Sequence, residues 1–257
     1  MFCDVDPVKM TLVVQPEREV AAVVPVDLFG RPHRSFDVGL RHCVQDASQA
    51  VGSEGAGAKA PGSLVVWSFN GRKGVPAGEG GMVLVINPDL ARRVRLWLSH
   101  AENFGVPWVG TNGHLHEMAA CLAWHGLRRV TARNRIRQRR AALLNRLLSG
   151  LPIQTFPDPT DHAFYVYPVI LKPEVDRDRL VLAMAKLGVQ SQPGYIQPPL
   201  HEYPAFRDYP REPLPVTEEL SRKTLLLLPV QITSETTDAD VRWLAARVRA
   251  AFGAVTA

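Results

Sequence analysis

The sequence of 257 residues is 46% hydrophobic and 21% charged, a composition that is typical of a folded globular protein with a sizeable core. Its net charge is +5, and its three cysteines are too few and too widely spread to predict a disulfide framework or a zinc site. No apolar run reaches the roughly 20 residues that cross a bilayer, and the first residues do not resemble a secretory signal, so we expect a cytoplasmic protein without a membrane partner or a bound metal.

The first half of the sequence predicts strands that alternate with helices, which is the pattern of an α/β domain. The predicted strands are residues 20–26, 63–69 and 82–86. A segment rich in Gly and Ala, 53–62, predicts a surface loop. The predicted helices are one that begins at Asp89, one at 115–127 and one at 134–148 that ends at Gly150.

The second half predicts a smaller α+β arrangement around a short sheet. Its predicted elements are a strand at 164–171, a helix at 178–187, a proline-rich loop at 193–215, a strand at 225–229 and an amphipathic helix at 238–252. We therefore divide the chain into a larger domain, 1–130, and a C-terminal domain, 131–257, that includes a linking helix.

Much of the positive charge lies in one arginine-rich segment, 128–140. Such a segment is typical of the solvated face of a long helix. The alternative is a nucleic-acid site, whose affinity would fall steeply with salt. Because the segment has no aromatic residue and no nucleic-acid-binding motif accompanies it, we expect no nucleic-acid partner.

Three short segments between residues 45 and 81 carry the candidate chemistry. They are Gln-Asp-Ala-Ser-Gln at 45–49, Ser-Phe-Asn-Gly-Arg-Lys at 68–73 and Gly-Glu-Gly-Gly at 78–81. Each alone is compatible with an ordinary turn. Together they supply what a pyridoxal 5'-phosphate (PLP) enzyme needs: a lysine for a Schiff base, an acid beside the pyridine nitrogen and a hydroxyl for the phosphate. Asp46 lies at the end of one apparent strand, and Ser68 and Lys73 flank the turn after the next strand. Ligand sites of α/β sheets form at strand ends.

The same segments resemble the motifs of the DegT/DnrJ/EryC1/StrS family of PLP-dependent sugar aminotransferases. That family carries Glu-Asp-Ala-Ala-Gln, Ser-Phe-x-x-x-Lys and Gly-Glu-Gly-Gly in this order and at close to this spacing. The likeness extends to residues 2–7, 24–30, 110–120, 214–220 and 227–229. It implies a fold-type I large domain, with a mixed, mostly parallel sheet and flanking helices, plus a smaller α+β C-terminal domain.

The resemblance implies a role for each matched residue. Lys73 would form the Schiff base and carry protons between the substrate carbon and the cofactor, while Asp46 would pair with the pyridine nitrogen. Gln49 would lie against the ring, and Ser68 would bind the phosphate. Asn112 would reach the phosphate of a neighbouring subunit, which implies a homodimer.

The chain also departs from the family pattern. The N-terminal stretch that supplies a phosphate-binding turn and a stacking aromatic ring has no counterpart here, so the resemblance implies a truncated, incomplete large domain. Asp27 stands where the family often has His, Gln45 replaces an acid, and His114 replaces the usual Arg. The family's His-Tyr-x-x-Leu-His substrate loop is matched only loosely at 194–201.

Two functional hypotheses follow. The first is an aminotransferase that moves an amino group from glutamate or glutamine to a keto-sugar nucleotide or keto-cyclitol, in secondary metabolite or polysaccharide biosynthesis. A dehydratase of the same fold would have His in place of Lys73. The second is a catalytically impaired relative that acts as a partner subunit or regulator of a longer aminotransferase chain.

Overall fold

The computed structural model describes residues 2–8, 10–11, 20–33, 42–54, 63–101, 108–156, 160–209, 212–228 and 236–256. Its contacts divide the chain into two compact units, Pro16–Ala132 and Met1–Gln15 with Arg133–Ala257. The division therefore groups the first 15 residues with the C-terminal unit, whereas the sequence boundary after residue 130 grouped them with the larger domain. No described helix is long and apolar enough to span a bilayer.

The unit Pro16–Ala132 contains a three-stranded sheet in the order β1-β2-β3. Its strands are β1, Cys43–Asp46; β2, Ser63–Ser68; and β3, Gly81–Val85. Strands β1 and β2 are parallel, whereas β2 and β3 are antiparallel, so the sheet is mixed as predicted. Most of the predicted loop 53–62 lies outside the described residues.

The apolar run at 20–26 does not form the predicted continuous strand. It makes two isolated parallel bridges, Val23 with Cys43 and Val26 with Asp46, and then a 3₁₀ turn, Leu28–Gly30. Pro25 interrupts the run, and a proline cannot donate a hydrogen bond to a ladder. The turn nevertheless lies beside the end of β1, where the candidate site begins.

Helix α1, Pro88–Leu98, begins after Asn87, whose side chain accepts a hydrogen bond from the Leu90 amide at 3.0 Å. Helix α2, Glu117–Leu147, is a single helix of 31 residues, although the sequence predicted two. The segment between the predicted helices, 128–133, contains no Gly or Pro to break the hydrogen-bond ladder. Gly150, with φ of 83°, occupies the left-handed conformation that follows many helices.

The C-terminal unit is α+β, as predicted. Its antiparallel sheet has the order β4-β5-β7-β6, with strands β4, Ile153–Gln154; β5, Tyr167–Leu171; β6, Gln192–Pro193; and β7, Leu225–Leu228. Its helices are α3, Arg177–Lys186; α4, Pro215–Glu219; and α5, Asp238–Thr256, and a π-helical turn spans Leu220–Thr224. Pro229, the end of a predicted strand, lies outside the described residues.

The core of this unit joins the second half of α2 to the sheet, α3 and α5. Fully buried side chains include Leu144, Tyr167, Leu180, Leu226 and Val248. Burial of one such aliphatic or aromatic side chain contributes roughly 1.5–3 kcal/mol to folding. This cluster, to which β5 and β7 contribute Tyr167 and Leu226, is the main apolar contact of the unit.

Asp4 connects the N-terminal residues to the C-terminal unit. Its carboxylate accepts hydrogen bonds from the amides of Val216 at 3.0 Å and Thr217 at 2.8 Å, and from the Thr217 hydroxyl at 2.7 Å. It therefore caps the first turn of α4, across more than 200 residues of sequence. Burial raises the pKa of Asp4, but the hydrogen bonds from Thr217 and Val216 outweigh that effect and lower it below 3.8.

Candidate active site

Asp46 and Ser68 occupy the carboxyl ends of two neighbouring parallel strands. Asp46 is the last residue of β1, Ser68 is the last residue of β2, and Asp46 lies opposite Val66 in the register. Because side chains alternate between the two faces of a sheet, Asp46 and Ser68 share one face. That face is partly exposed, whereas Cys43, Gln45 and Val65 face the interior.

Lys73 lies in the ordered turn between β2 and β3. The turn is closed by backbone hydrogen bonds of 2.8 Å from Gly71 to Gly78 and from Ala77 to Phe69. The Lys73 amide donates a further bond of 2.8 Å to the Asn70 carbonyl. Gly78 and Gly80 have φ values of 87° and 110°, which explains the need for glycine in the Gly-Glu-Gly-Gly segment.

Asn70 holds this turn together, although the family motif Ser-Phe-x-x-x-Lys leaves its position unspecified. Its side-chain amide donates to Glu79 Oε1 at 2.7 Å, and its carbonyl oxygen accepts from the Arg72 amide at 3.1 Å. These two hydrogen bonds fix the start and the end of the turn that carries Lys73. The only sequence signal for this role is the short polar side chain of asparagine at the start of a glycine-rich turn.

The ammonium group of Lys73 is destabilised by its surroundings. Burial is the largest cause and lowers the pKa of Lys73 below its usual value of 10.5; nearby Asp46 raises it, and Arg72 lowers it. Asp46 and Lys73 are therefore electrostatic neighbours in the folded chain. A lysine whose pKa is lowered is neutral more often at a given pH, and the neutral amine is the nucleophile.

Gln49 is held by the turn at Leu28–Gly30. Its side-chain oxygen accepts a hydrogen bond from the Phe29 amide at 2.7 Å. Phe29 has φ of 62°, an unusual value for a residue with a side chain, and its side chain is 1% exposed. Gln49 thus has a defined position three residues after Asp46.

Asp27 and Gln45, two of the departures from the family pattern, form a buried pair. Gln45 Nε2 donates to Asp27 Oδ2 at 2.7 Å, and the His33 amide donates to Asp27 Oδ1 at 2.8 Å. The Asp27 amide also donates to the Asp46 carbonyl at 2.9 Å. Burial, with a smaller contribution from Asp27, raises the pKa of Cys43 to about 11, so this thiol is protonated near neutral pH.

Helix α2 packs directly over the Lys73 turn. Val75 and Ala77 of the turn are buried with Ala123 and Val130 of the helix. A Cβ atom at Gly126 would lie 2.8 Å from Val75 Cγ1, so only glycine allows this approach. The first half of α2 therefore helps to set the position of the turn.

Asn112 lies on the surface. Its side-chain oxygen accepts a hydrogen bond from the His114 amide at 3.3 Å, and its backbone forms an isolated bridge with Ser99. An exposed position is compatible with contact to a second chain. The role of Asn112 toward a neighbouring subunit stays a prediction.

The donor set at the strand ends fits the chemistry of PLP. A primary amine of lowered pKa, a carboxylate and a hydroxyl are contributed by Lys73, Asp46 and Ser68 within the unit Pro16–Ala132. These are the groups that would react with the aldehyde, face the pyridine nitrogen and bind the phosphate. Asp46 Oδ1 accepts a hydrogen bond from the Ser48 amide at 3.0 Å, and Ser68 Oγ accepts one from the Asn70 amide at 3.3 Å.

The sequence is similar to sugar and cyclitol aminotransferases along most of its length. It is 31% identical to dTDP-4-dehydro-2,3,6-trideoxy-D-glucose 4-aminotransferase of Saccharopolyspora spinosa, over 79% of this chain and 56% of that protein. It is 30% identical to L-glutamine:2-deoxy-scyllo-inosose aminotransferase of Streptomyces fradiae, over 96% of this chain and 70% of that protein. The chain thus spans little more than half the length of the first relative.

Solved structures share the fold. An aminotransferase from Brucella abortus superposes with a TM-score of 0.84 at 25% identity, over 98% of this chain and 73% of that one. DesI, determined in the presence of its TDP-sugar product, has a TM-score of 0.82 at 29% identity, over 98% and 68% of the two chains. The expected fold class is therefore confirmed. Residues 1–249 match the DegT/DnrJ/EryC1/StrS aminotransferase family, and the chain belongs to this family.

Proposed function

We propose that this chain binds PLP and transfers an amino group from glutamate or glutamine to a keto-sugar nucleotide or keto-cyclitol. The observation that carries the proposal is the lysine of lowered pKa, Lys73, beside the carboxylate of Asp46 at the end of β1. Membership of the aminotransferase family supports the same reaction class.

Each site residue has a defined task in this proposal. Lys73 holds the cofactor covalently, Asp46 pairs with its pyridine nitrogen, and Ser68 binds its phosphate. Gln49 lies against the ring, and Asn112 contributes to the site of a second subunit. When bound, PLP serves as an electron sink for the substrate carbon.

The chain's own chemistry is proton transfer by Lys73. Its amine takes a proton from the carbon that bears the donor's amino group and returns one to the acceptor carbon. Burial favours the neutral amine that this step needs, while Asp46 limits how far the pKa falls. The carboxylate thus serves both the cofactor and the lysine.

The substrate class rests on what the named relatives act on. The Saccharopolyspora relative is named for a dTDP-linked keto-sugar, and the Streptomyces relative for L-glutamine and a keto-cyclitol. A six-membered ring with one ketone is common to both names. We infer the same class of acceptor for this chain.

Association with a second copy of the chain is part of the proposal. Three large apolar side chains of α2 are exposed, Met118 by 72%, Leu122 by 58% and Trp124 by 66%. A cavity of about 480 Å³ adjoins the first two and the Gly80 turn. Exposed apolar surface of this kind favours protein–protein contact. Sedimentation of the chain alone and mixed with a longer family member distinguishes a homodimer from a heteromer.

Amino transfer is tested directly by a half-reaction. The purified chain is loaded with PLP, freed of excess and mixed with L-glutamine or L-glutamate, and the 2-oxo product is measured by mass spectrometry. We expect product from the wild type and from Lys186→Ala, a control at an exposed lysine of α3, and none from Lys73→Ala.

The half-reaction also distinguishes the alternative function. A chain that binds PLP but releases no oxo acid would contradict amino transfer by this chain alone. If that chain also co-sediments with a longer family member, the result would support a role as a catalytically impaired partner subunit.

A further inference from the structure

A histidine and two glutamates converge in the C-terminal unit. His201 and Glu202 belong to a 3₁₀ turn, Leu200–Glu202, and Glu218 belongs to α4. His201 Nε2 lies 3.5 Å from Glu218 Oε1 and 3.8 Å from Glu202 Oε1. One candidate ligand atom from each of the three residues lies within 4.8 Å of the other two.

His201 is the buried member of this cluster. Its side chain is 7% exposed, and its Nε2 makes no hydrogen bond with any part of the chain that the structure describes. Buried polar atoms without a partner are rare in folded proteins, because the group loses its bond to water. The nitrogen points toward the two carboxylates, but the separations are too long for strong hydrogen bonds.

The separations suit an ion between the three groups. Tetrahedral Zn²⁺ with bonds near 2.1 Å separates its ligand atoms by about 3.4 Å. The contact between His201 and Glu218 already has that spacing, and the contact between His201 and Glu202 needs a shift of a few tenths of an ångström. We propose that His201, Glu202 and Glu218 bind one divalent transition-metal cation, a site that the sequence did not predict.

The surroundings support a small ion of this class. An imidazole ligand favours Zn²⁺ and similar ions over Mg²⁺ and Ca²⁺, which prefer oxygen ligands alone. Arg222 donates a hydrogen bond to Glu202 and so orients that carboxylate. The ring of Phe2 lies 6.3 Å from the ring of His201 and shields it on one side.

The ion would have a structural role. It would join the turn at Leu200–Glu202 to α4, two elements that are separated in sequence by residues 203–214. Its three protein ligands leave one position for water. The proposal does not depend on PLP binding, since none of the three residues is among the assigned cofactor residues, although His201 ends the segment 194–201 that loosely matches the family's substrate loop.

The test is Zn²⁺ binding to the tag-free chain of residues 1–257. After treatment with a chelator, the wild type is titrated with ZnCl₂ by calorimetry in competition with a chromophoric chelator. We expect one Zn²⁺ per chain and at least about tenfold weaker binding in Glu218→Gln, since even the loss of an outer-shell partner weakens metal sites by about ten to one hundred times. Glu219→Gln, a change at the next residue of α4, is the matched control and should bind as the wild type does.

A misfolded Glu218→Gln would also lose Zn²⁺, so the test includes a second variant and a measurement on the wild type alone. Glu202→Gln changes a ligand on the other element, and circular dichroism checks the fold of each variant. X-ray absorption of the wild type with Zn²⁺ should show one imidazole and otherwise oxygen ligands. Absence of stoichiometric binding, a ligand set with several imidazoles, or equal affinity in folded Glu218→Gln would overturn the proposal and leave His201 as part of a simple ion pair.

Discussion

Gln45 donates a hydrogen bond of 2.7 Å to Asp27 in the interior of the unit Pro16–Ala132. These are two of the positions at which the chain departs from the family pattern, which has an acid at 45 and often His at 27. In this chain the carboxylate of the pair is at 27 and the donor is at 45, which is an exchange relative to that pattern. The Asp27 amide also donates to the Asp46 carbonyl, so the pair contacts the backbone of the candidate site.

The exchanged pair predicts a coupled mutant cycle. Gln45→Glu would bury two carboxylates against each other and should lower the free energy of unfolding by about 3 kcal/mol. Asp27→His should also destabilise the chain. The double variant restores an acid facing a base, so its loss of unfolding free energy should be at least about 1 kcal/mol smaller than the sum of the two single losses. Urea unfolding of the four proteins measures this, and additive losses would show that the two residues do not compensate each other.

The two charged neighbours of Lys73 should move its pKa in opposite directions. Asp46 raises the pKa of Lys73, so Asp46→Asn should lower it; Arg72 lowers the pKa, so Arg72→Gln should raise it. Peptide mass spectrometry measures the rate at which an amine-reactive reagent labels Lys73 at each pH. The midpoint of that pH profile gives the pKa of Lys73 in each protein. Shifts of the same sign in both variants would contradict the placement of Lys73 between these charges.

Two glycine-to-alanine changes in helices should have different effects on stability and on PLP binding. Gly253→Ala in α5 meets no atom within 4 Å and should stabilise the chain by up to about 1 kcal/mol, since alanine favours the helix. Gly126→Ala in α2 should lose this gain, because its Cβ would contact Val75 in the Lys73 turn. We expect weaker PLP binding in Gly126→Ala alone, measured by fluorescence titration; equal binding in the two variants would exclude a role for α2 in positioning the turn.

Asp4→Asn should reduce stability in a pH-dependent way. Because the folded pKa of Asp4 lies below its ordinary value of 3.8, its ionised form stabilises the fold above that value, and the contribution is lost as pH falls through the folded pKa. At neutral pH, Asn retains one acceptor oxygen but loses the second oxygen and the charge, which should cost about 1 kcal/mol, since hydrogen bonds to charged groups are stronger than those to neutral groups. Urea unfolding at pH 7 and below pH 3.8 tests this, with the exposed Asp208→Asn as control. A difference from wild type that persists unchanged in acid would argue against the ionised cap.

Local sequence patterns predicted the secondary-structure elements better than they predicted the contacts between those elements. The apolar runs of β2 and β3 and the glycines of the Lys73 turn have clear sequence signals, and each is present in the structure. The sequence predicts two helices in place of α2, because the arginine-rich segment weakens the apolar periodicity. No residue in that segment stops a helix, and the structure has one. The bridge pattern at Val23 and Val26 depends on pairing with β1, which no local pattern specifies.

The site residues could be named from sequence, but not the interactions that hold them. Parallel pairing of β1 with β2 brings Asp46 and Ser68 to one edge, and this follows from strand order. The contacts of Gln45 with Asp27 and of Gln49 with Phe29 span 18 and 20 residues and depend on the fold. His201 and Glu218 likewise meet only because α4 packs beside the turn at Leu200–Glu202.

The measurement that tests the central claim most directly is the location of PLP on the chain. The protein is saturated with PLP, reduced with borohydride, digested and mapped by mass spectrometry, with Lys73→Ala and Lys186→Ala in parallel. We predict one reduced adduct per chain on Lys73. Before reduction, the visible absorption of the Schiff base should be absent from Lys73→Ala and retained in Lys186→Ala. An unmodified Lys73 at saturating PLP, or an adduct spread over exposed lysines, would contradict the assignment of Lys73 as the cofactor lysine.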